Sequence, residues 1–143
     1  GKILSGFHIL RAMALGADGC NSARAMMMAL GCIQALLCNT NRCPTGITTQ
    51  DPQLTVGLVV EDKKHRVANY HEDTVKSFVE LLGAAGLEDM KQLTRSHIYR
   101  RVFMNEVRTF EDVFPSLQPG CLLNGNIPEK YKQDIEAASA DRW

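Results

Sequence analysis

Three of the five cysteines lie within twelve residues of one another, in a segment that could bind a metal cluster. Cys32, Cys38 and Cys43 are separated by five and then four residues, and Pro44 directly follows the last of them. The four residues at positions 39–42 are polar, and residues of this kind favour turns. A chain that leaves a helix and turns in this way can bring three thiolates towards one point.

The spacing of these cysteines favours an iron–sulfur cluster over a zinc ion. A structural zinc site normally has four ligands, with paired cysteines two to four residues apart. Thiolates are the usual ligands of iron–sulfur clusters, and a Cys-Pro pair also ends the ferredoxin-type motif. Three ligands without a fourth point to a three-iron cluster. The alternative is that Cys32 and Cys38 are small apolar residues on a buried helix, as free cysteines often are. The spacing alone leaves both interpretations open.

The segments before the cysteines are predicted to form one unit of an α/β architecture. Apolar residues from Phe7 onward recur at helical spacing, and Gly16 is well placed to end that helix. Residues 17–23 are small and largely uncharged, which is typical of a strand packed inside a sheet. Residues 25–37 are apolar nearly all round and predict a second, buried helix. The order of helix, strand and helix is that of an α/β protein.

Two short segments at predicted helix starts could bind an anion. One is the pair Gly1 and Lys2, and the other comprises Asn21, Ser22, Ala23 and Arg24. Backbone N–H groups at a helix N-terminus bind anions, and Lys2 or Arg24 could add positive charge. In β/α barrels the phosphate site lies in the loops after the seventh and eighth strands. The commoner alternative is that Ser22 caps the helix and Arg24 is a solvated surface charge.

The rest of the chain predicts a mainly helical structure with little chemistry of its own. Residues 58–60 form a short apolar run that could be an edge strand or a buried connector. The clearest amphipathic helix extends from Val67 to Gly83. A short helix is predicted at residues 109–114, and a polar terminal helix at 129–138 after Pro128. His65 and His71 are six residues apart, so they would not share a helix face as a metal pair.

Composition excludes several classes of protein. The chain has 143 residues, of which 45% are hydrophobic, enough for one ordinary core. Sixteen basic residues balance sixteen acidic ones, so we expect neither nucleic acid nor an anionic membrane as a partner. No apolar run has transmembrane length, and no segment has the pattern of a signal peptide. The odd number of cysteines argues against a secreted disulfide framework and favours the cytoplasm.

Residues 1–50 closely resemble the end of the FMN-binding central domain of the glutamate synthase family. The resemblance is carried by the C-x5-C-x4-C-P spacing after an apolar ALGC segment. It continues more weakly through residues 57–87. It implies that Cys32, Cys38 and Cys43 bind a 3Fe-4S cluster, with the Met26–Met28 helix keeping water from the sulfurs. The remaining residues that it implicates are those whose backbone amides would bind the FMN phosphate: Gly1, Lys2, Asn21, Ser22, Ala23 and Arg24.

The resemblance also implies a fold and a reaction. Residues 1–50 would be the C-terminal portion of a (β/α)8 TIM barrel, and residues 51–143 a helical C-terminal extension. A barrel typically needs about 250 residues, so upstream strands of the same protein would complete it. The enzyme would reduce 2-iminoglutarate, formed from 2-oxoglutarate and ammonia, to L-glutamate. Ammonia could come from glutamine through an amidotransferase partner, and an electron donor would be needed. The alternative is a non-catalytic iron–sulfur electron-transfer or regulatory fragment.

Overall fold

The computed structural model describes residues 1–138 and 140–141 as helices joined by long loops, with one small sheet. Two short 3₁₀ turns, Met90–Gln92 and Arg95–His97, lie between the longest helix and the sheet. In chain order the elements are α1 (Gly6–Ala14), α2 (Arg24–Leu30), α3 (Pro52–Thr55), α4 (Val60–Ala84), β1 (Tyr99–Phe103), β2 (Glu106–Thr109), α5 (Phe110–Val113) and α6 (Glu129–Ala137).

Helix α4 is the element against which both α1 and α2 pack. The approach of α1 is close because Gly6 faces the backbone of α4: a Cβ atom at this position would lie 2.5 Å from the Phe78 nitrogen and 2.8 Å from the Ser77 carbonyl carbon. The Tyr70 hydroxyl of α4 donates a hydrogen bond to the Leu4 carbonyl, at 2.9 Å. These contacts fix the segment that leads into α1, and therefore the position of Gly1 and Lys2.

The hydrophobic core joins α1, near the start of the chain, to the end of α4 and to the segment around the sheet. Its buried residues come from α1, from the end of α4 and from the segment around the sheet: Leu10, Ala14, Leu82, Leu93, Ile98 and Phe110. Arg95 adds polar contacts across the same region, because its guanidinium donates to the carbonyls of Leu15, at 3.2 Å, and Phe114. Residues after position 88 therefore complete the core that α1 and α4 begin.

The sheet is an antiparallel pair, and within the described residues it is the only sheet. Tyr99 pairs with Thr109 and Arg101 with Val107, with an irregularity between Arg101 and Phe103. The sequence had not predicted these strands. Both are short and mostly exposed, so they lack the alternation of apolar and polar residues that marks a half-buried strand.

Several helices predicted from the sequence are confirmed. Helix α1 ends before Gly16, whose φ of 102° is left-handed. Helix α4 contains the predicted amphipathic segment and begins earlier, at Val60. The Thr109 hydroxyl caps α5, where it accepts from the Asp112 N–H, and Pro128 precedes α6. In these places the signals are local: a repeat of apolar residues, a capping side chain, or a proline.

Three other predictions are wrong. Residues 17–23 form no strand, because a strand exists only through hydrogen bonds to neighbouring strands, and none of the described residues provides them. Of the two alternatives for residues 58–60, the edge strand is excluded: they are a connector into α4, but Val59 and Val60 are exposed rather than buried. Helix α2 ends at Leu30 rather than at residue 37, since Gly31 adopts a φ of 105° and the Cys32 N–H bonds back to the Met27 carbonyl. This helix is also less buried than predicted: Ala25 is buried, but Met28 is 37% exposed.

Candidate functional site

The three clustered cysteines line one small cavity of about 20 Å³ in the loop that follows α2. Cys43 is buried, Cys32 is half-buried and Cys38 is exposed, so the cavity is open to solvent on the side of Cys38. Met27 of α2 contributes an apolar wall. The three cysteines singled out by their spacing thus line the same cavity.

The loop is held in shape by Gly46 at its base. Gly46 has a φ of 76°, and a Cβ atom there would overlap with the Leu54 carbonyl oxygen. Only glycine meets both requirements without strain, because it lacks a Cβ and tolerates left-handed backbone angles. This close approach packs the segment after Cys43 against α3.

Asn41 closes the polar turn between Cys38 and Cys43. Its φ is 61°, and asparagine tolerates this left-handed conformation better than most residues. The Asn41 side-chain oxygen accepts from the Gln50 N–H at 2.7 Å, while the Thr49 hydroxyl donates to the Asn41 carbonyl at 2.7 Å. These bonds tie the turn to the end of the loop and so fix the separation of the two cysteines that flank it.

Hydrogen-bond donors surround the sulfur of Cys43. The Thr45 hydroxyl lies 3.4 Å from Cys43 Sγ, and it is the largest of the influences that lower the Cys43 pKa from 9.0 to about 6. The amide and hydroxyl of Thr48 and the amide of Thr45 act in the same direction. Hydrogen bonds to the charged form of a group favour ionisation. Cys43 is therefore prepared to be a thiolate, the form that binds metals.

The Thr48 hydroxyl is a buried polar atom that lacks a protein partner. Its Oγ1 makes no hydrogen bond of normal geometry to the described residues, although its dipole still favours the Cys43 thiolate. Thr48 lines the cysteine cavity. Buried polar groups are rarely left unpaired, so an acceptor inside the cavity, such as a sulfide or a thiolate, would satisfy this hydroxyl.

Cys32 also receives a hydrogen bond to its sulfur. The backbone N–H of Gln34 donates to Cys32 Sγ at 3.4 Å. Hydrogen bonds to the thiolates are one of the factors by which proteins set the potential of an iron–sulfur cluster. Donors therefore face the sulfurs at both ends of the motif, from Gln34 at one end and from Thr45 at the other.

The three cysteines line one cavity but are not grouped as the ligands of a metal ion. In the part of the chain that the structure describes, no three His, Cys, Asp or Glu side chains are grouped so as to hold one ion. Thiolates are the usual ligands of iron–sulfur clusters, so the chemistry of these three side chains is compatible with such a group. Cys20 and Cys121 do not line this cavity.

The residues predicted to hold a phosphate surround a second, open cavity of about 510 Å³. Its lining includes all but one of the residues implicated from the sequence: Gly1, Lys2, Asn21, Ala23 and Arg24. The exposed side chains of Lys2 and Arg24 bring two positive charges to it. The two segments are far apart in the sequence, so their meeting around one cavity is a result of the fold.

Ser22 has a different position from its neighbours. Its hydroxyl donates a hydrogen bond to the Ile3 carbonyl at 2.8 Å, which links the segment before α2 to the segment before α1. The alternative that Ser22 caps α2 is wrong, because Ala23 occupies the capping position and no side chain caps the helix. Ser22 thus holds the two walls of the second cavity together.

The two cavities adjoin at Gln34. This residue lines the second cavity, while its neighbours Ile33 and Ala35 line the cysteine cavity. Gln34 was not singled out from the sequence, because its position depends on a left-handed backbone, with a φ of 57°, that glutamine does not favour. Thr45 and Thr48 were also missed, although hydroxyl side chains just after a candidate ligand cysteine are a usable signal.

Comparison with known proteins points to one family. Residues 1–88 match the family model described as the conserved region in glutamate synthase. The chain is 45% identical over 101 residues to the glutamate synthase large subunit-like protein YerD of Bacillus subtilis, covering 71% of this chain and 19% of that protein. It is 40% identical over 93 residues to an archaeal glutamate synthase [NADPH] of Methanocaldococcus jannaschii, covering 65% of this chain and 18% of that protein.

A third relative extends the similarity to nearly the whole chain. The glutamate synthase [NADH] of Saccharomyces cerevisiae is 26% identical over 138 residues, which are 94% of this chain and 6% of that protein. The chain thus spans less than a fifth of the length of these relatives. No solved structure matches it. Among the described residues, no helix has both the length and the apolar character needed to cross a membrane.

Proposed function

We propose, since the chain belongs to the glutamate synthase family, that it supplies the cluster and the flavin-phosphate region of an oxidoreductase that forms L-glutamate. The proposed reaction is the reduction of 2-iminoglutarate, formed from 2-oxoglutarate and ammonia. The observation that carries the proposal is the cavity that Cys32, Cys38 and Cys43 share. A family member that served only as a helical scaffold would have no need of three thiols around one space.

The three cysteines are proposed to hold a 3Fe-4S cluster, one thiolate to each iron. The lowered pKa of Cys43 keeps its sulfur ionised at neutral pH, and the Gln34 N–H orients the sulfur of Cys32. Met27 excludes water from one side. Bound in this way, the cluster would supply one-electron transfer, and FMN would supply hydride chemistry.

The second cavity is proposed to receive the phosphate of FMN. Lys2 and Arg24 supply positive charge, and the exposed backbone amides near Gly1, Asn21 and Ala23 supply donors. Ser22 would act indirectly, through its bond to the Ile3 carbonyl, by keeping the two segments at a fixed separation. Because Gln34 separates this cavity from that of the cysteines, the two groups would be neighbours, which suits electron transfer between them.

The complete enzyme would include parts beyond these residues. We propose that residues 1–50 form the last units of a (β/α)8 barrel whose earlier strands precede Gly1 in the same protein, with residues 51–143 as the extension after it. The residues that bind 2-oxoglutarate would lie on those earlier strands. An electron donor and a source of ammonia, such as an amidotransferase acting on glutamine, would be its partners in the cytoplasm. The 143-residue chain by itself is then expected to be inactive.

The second candidate is a module that holds only the cluster and transfers electrons or regulates a partner. The hydrophobic core favours this second candidate, because its residues all come from α1, α4 and the region around the sheet. The two candidates differ in flavin: an electron-transfer module binds iron and no FMN, whereas the proposed enzyme binds both.

Anaerobic reconstitution tests the proposal. The complete enzyme, meaning this chain with the upstream barrel strands, is treated with iron and sulfide and with FMN. Iron, sulfide and flavin contents are then measured, together with the EPR spectrum of the oxidised cluster. Cys38→Ala should abolish the cluster signal, while Cys121→Ala, whose thiol lies outside the cavity, should leave it unchanged. Equal iron contents in the two variants would disprove the assignment of the cluster to this loop.

A further inference from the structure

Gln34 contributes different groups to the two cavities. Its backbone N–H donates to Cys32 Sγ at 3.4 Å, and Cys32 lines the cysteine cavity. Its side chain lines the other cavity, together with Lys2 and Arg24, and its Nε2 lies 4.0 Å from Met28 Sδ. No other residue among those described lines the second cavity while donating a hydrogen bond to a cysteine of the first.

The backbone conformation of Gln34 explains this arrangement. With a φ of 57°, Gln34 has a left-handed backbone conformation, which residues other than Gly, Asn and Asp rarely adopt. Such strained residues concentrate at functional sites, where the surrounding structure holds them in place. Here the left-handed residue bonds through its N–H to Cys32 Sγ while it lines the second cavity.

From these contacts, and resting on the function proposed above, we infer that Gln34 is a positioning residue shared by the two cofactor sites. Its N–H orients the Cys32 thiolate towards the cluster, and its neutral carboxamide contacts FMN on the phosphate side. A neutral group is required at this position because FMN carries a phosphate and the cluster carries thiolates, so that a negative charge between them would repel both.

The test uses Gln34→Glu in the complete enzyme, with Gln133→Glu as the matched control. Gln133 lies on α6, is exposed and lines neither cavity. Two quantities are measured: FMN affinity, by flavin fluorescence, and the midpoint potential of the cluster, by an EPR-monitored redox titration. Gln34→Glu should weaken FMN binding roughly tenfold and shift the cluster potential to more negative values. Gln133→Glu should change neither.

Two further variants separate the backbone role from the side-chain role. Gln34→Gly removes the carboxamide but accepts the left-handed conformation and keeps the N–H, so it should lose FMN affinity and keep a full complement of iron. Gln34→Ala removes the same carboxamide in a residue that resists this conformation, so it should lose iron as well. A higher iron content in the glycine variant than in the alanine variant supports the backbone role.

The outcomes distinguish this inference from the function on which it rests. If the wild-type enzyme binds both FMN and the cluster but Gln34→Glu behaves like Gln133→Glu, the inference is overturned and the proposed function stands. A shift in cluster potential with unchanged FMN affinity overturns the sharing of Gln34 between the sites. If the wild-type enzyme binds neither group, the proposed function fails and this inference fails with it.

Discussion

Gly6 of α1 lies directly against the backbone of α4 at Phe78, where a Cβ atom on Gly6 would stand 2.5 Å from the Phe78 nitrogen. Both groups belong to helices, so neither can move aside as a flexible side chain would. The close contact between Gly6 and α4 also positions the segment before α1. Lys2, in that segment, lines the second cavity. The packing of two helices is thereby linked to the geometry of the proposed phosphate site.

Gly6→Ala is expected to destabilise the chain by about 1–3 kcal/mol, the usual cost of adding an atom to a well-packed interface. The free energy of unfolding is measured by urea denaturation. Gly83→Ala is the matched control, since it lies in α4 with no atom near its would-be Cβ. Alanine there should stabilise the helix by about 0.5–1 kcal/mol. If both variants change stability in the same direction, the close approach of α1 to α4 is not as described.

Gly46→Ala is expected to disrupt the cysteine loop and reduce the iron bound after reconstitution. The substitution adds strain at a φ of 76° and an overlap with the Leu54 carbonyl oxygen. Gly86→Ala is the control that adds the backbone strain without the overlap, because Gly86 has a φ of 75° but no atom within 4 Å of its would-be Cβ. Iron per chain should fall in the Gly46 variant and remain at the wild-type value in the Gly86 variant. Equal iron content in both would show that the overlap at Leu54 does not shape the loop.

Asp112 is expected to make the stability of the chain dependent on pH in the acidic range. The Thr109 hydroxyl and N–H donate to its carboxylate, at 2.6 and 3.0 Å, and they lower the Asp112 pKa below 3.8. A lowered pKa in the folded state means that the carboxylate stabilises the fold above the unfolded-state value. That stabilisation is lost as the pH falls through the folded-state value.

The measurement compares urea midpoints of the wild type and Asp112→Asn from pH 7 down to pH 2. The variant should be less stable at pH 7, and the difference should shrink as the wild-type carboxylate becomes protonated. Glu111, whose pKa is lowered chiefly by the Ser116 N–H, is present in both proteins, and loss of the neighbouring Asp112 charge lowers its pKa further in the variant. A difference that stays constant down to pH 2 would contradict the role of the Thr109 bonds.

The sequence predicted those parts of the structure that depend on local signals. The apolar repeat of α4 and the Thr109 cap each act over a few residues, and both are confirmed in the fold. The cysteine spacing is equally local, and its three residues line one cavity. Residues 17–23 were wrongly predicted as a strand, because a strand depends on partners elsewhere in the chain. Gln34 was missed for a related reason: its left-handed backbone is imposed by the surrounding loop and not by its own preference.

Thr45→Val is expected to lower the midpoint potential of the proposed cluster in the complete enzyme. The Thr45 hydroxyl lies 3.4 Å from Cys43 Sγ, and a donor to a cluster sulfur stabilises the reduced form, which carries the greater negative charge. For a one-electron couple, each loss of about 1.4 kcal/mol corresponds to about 59 mV, so a fall of some tens of millivolts is expected. Thr55→Val is the control, since its hydroxyl donates to the Pro52 carbonyl and does not line the cavity. An EPR-monitored redox titration measures both variants. An unchanged potential in Thr45→Val, with the cluster still bound, would mean that the hydroxyl does not donate to the ligated sulfur.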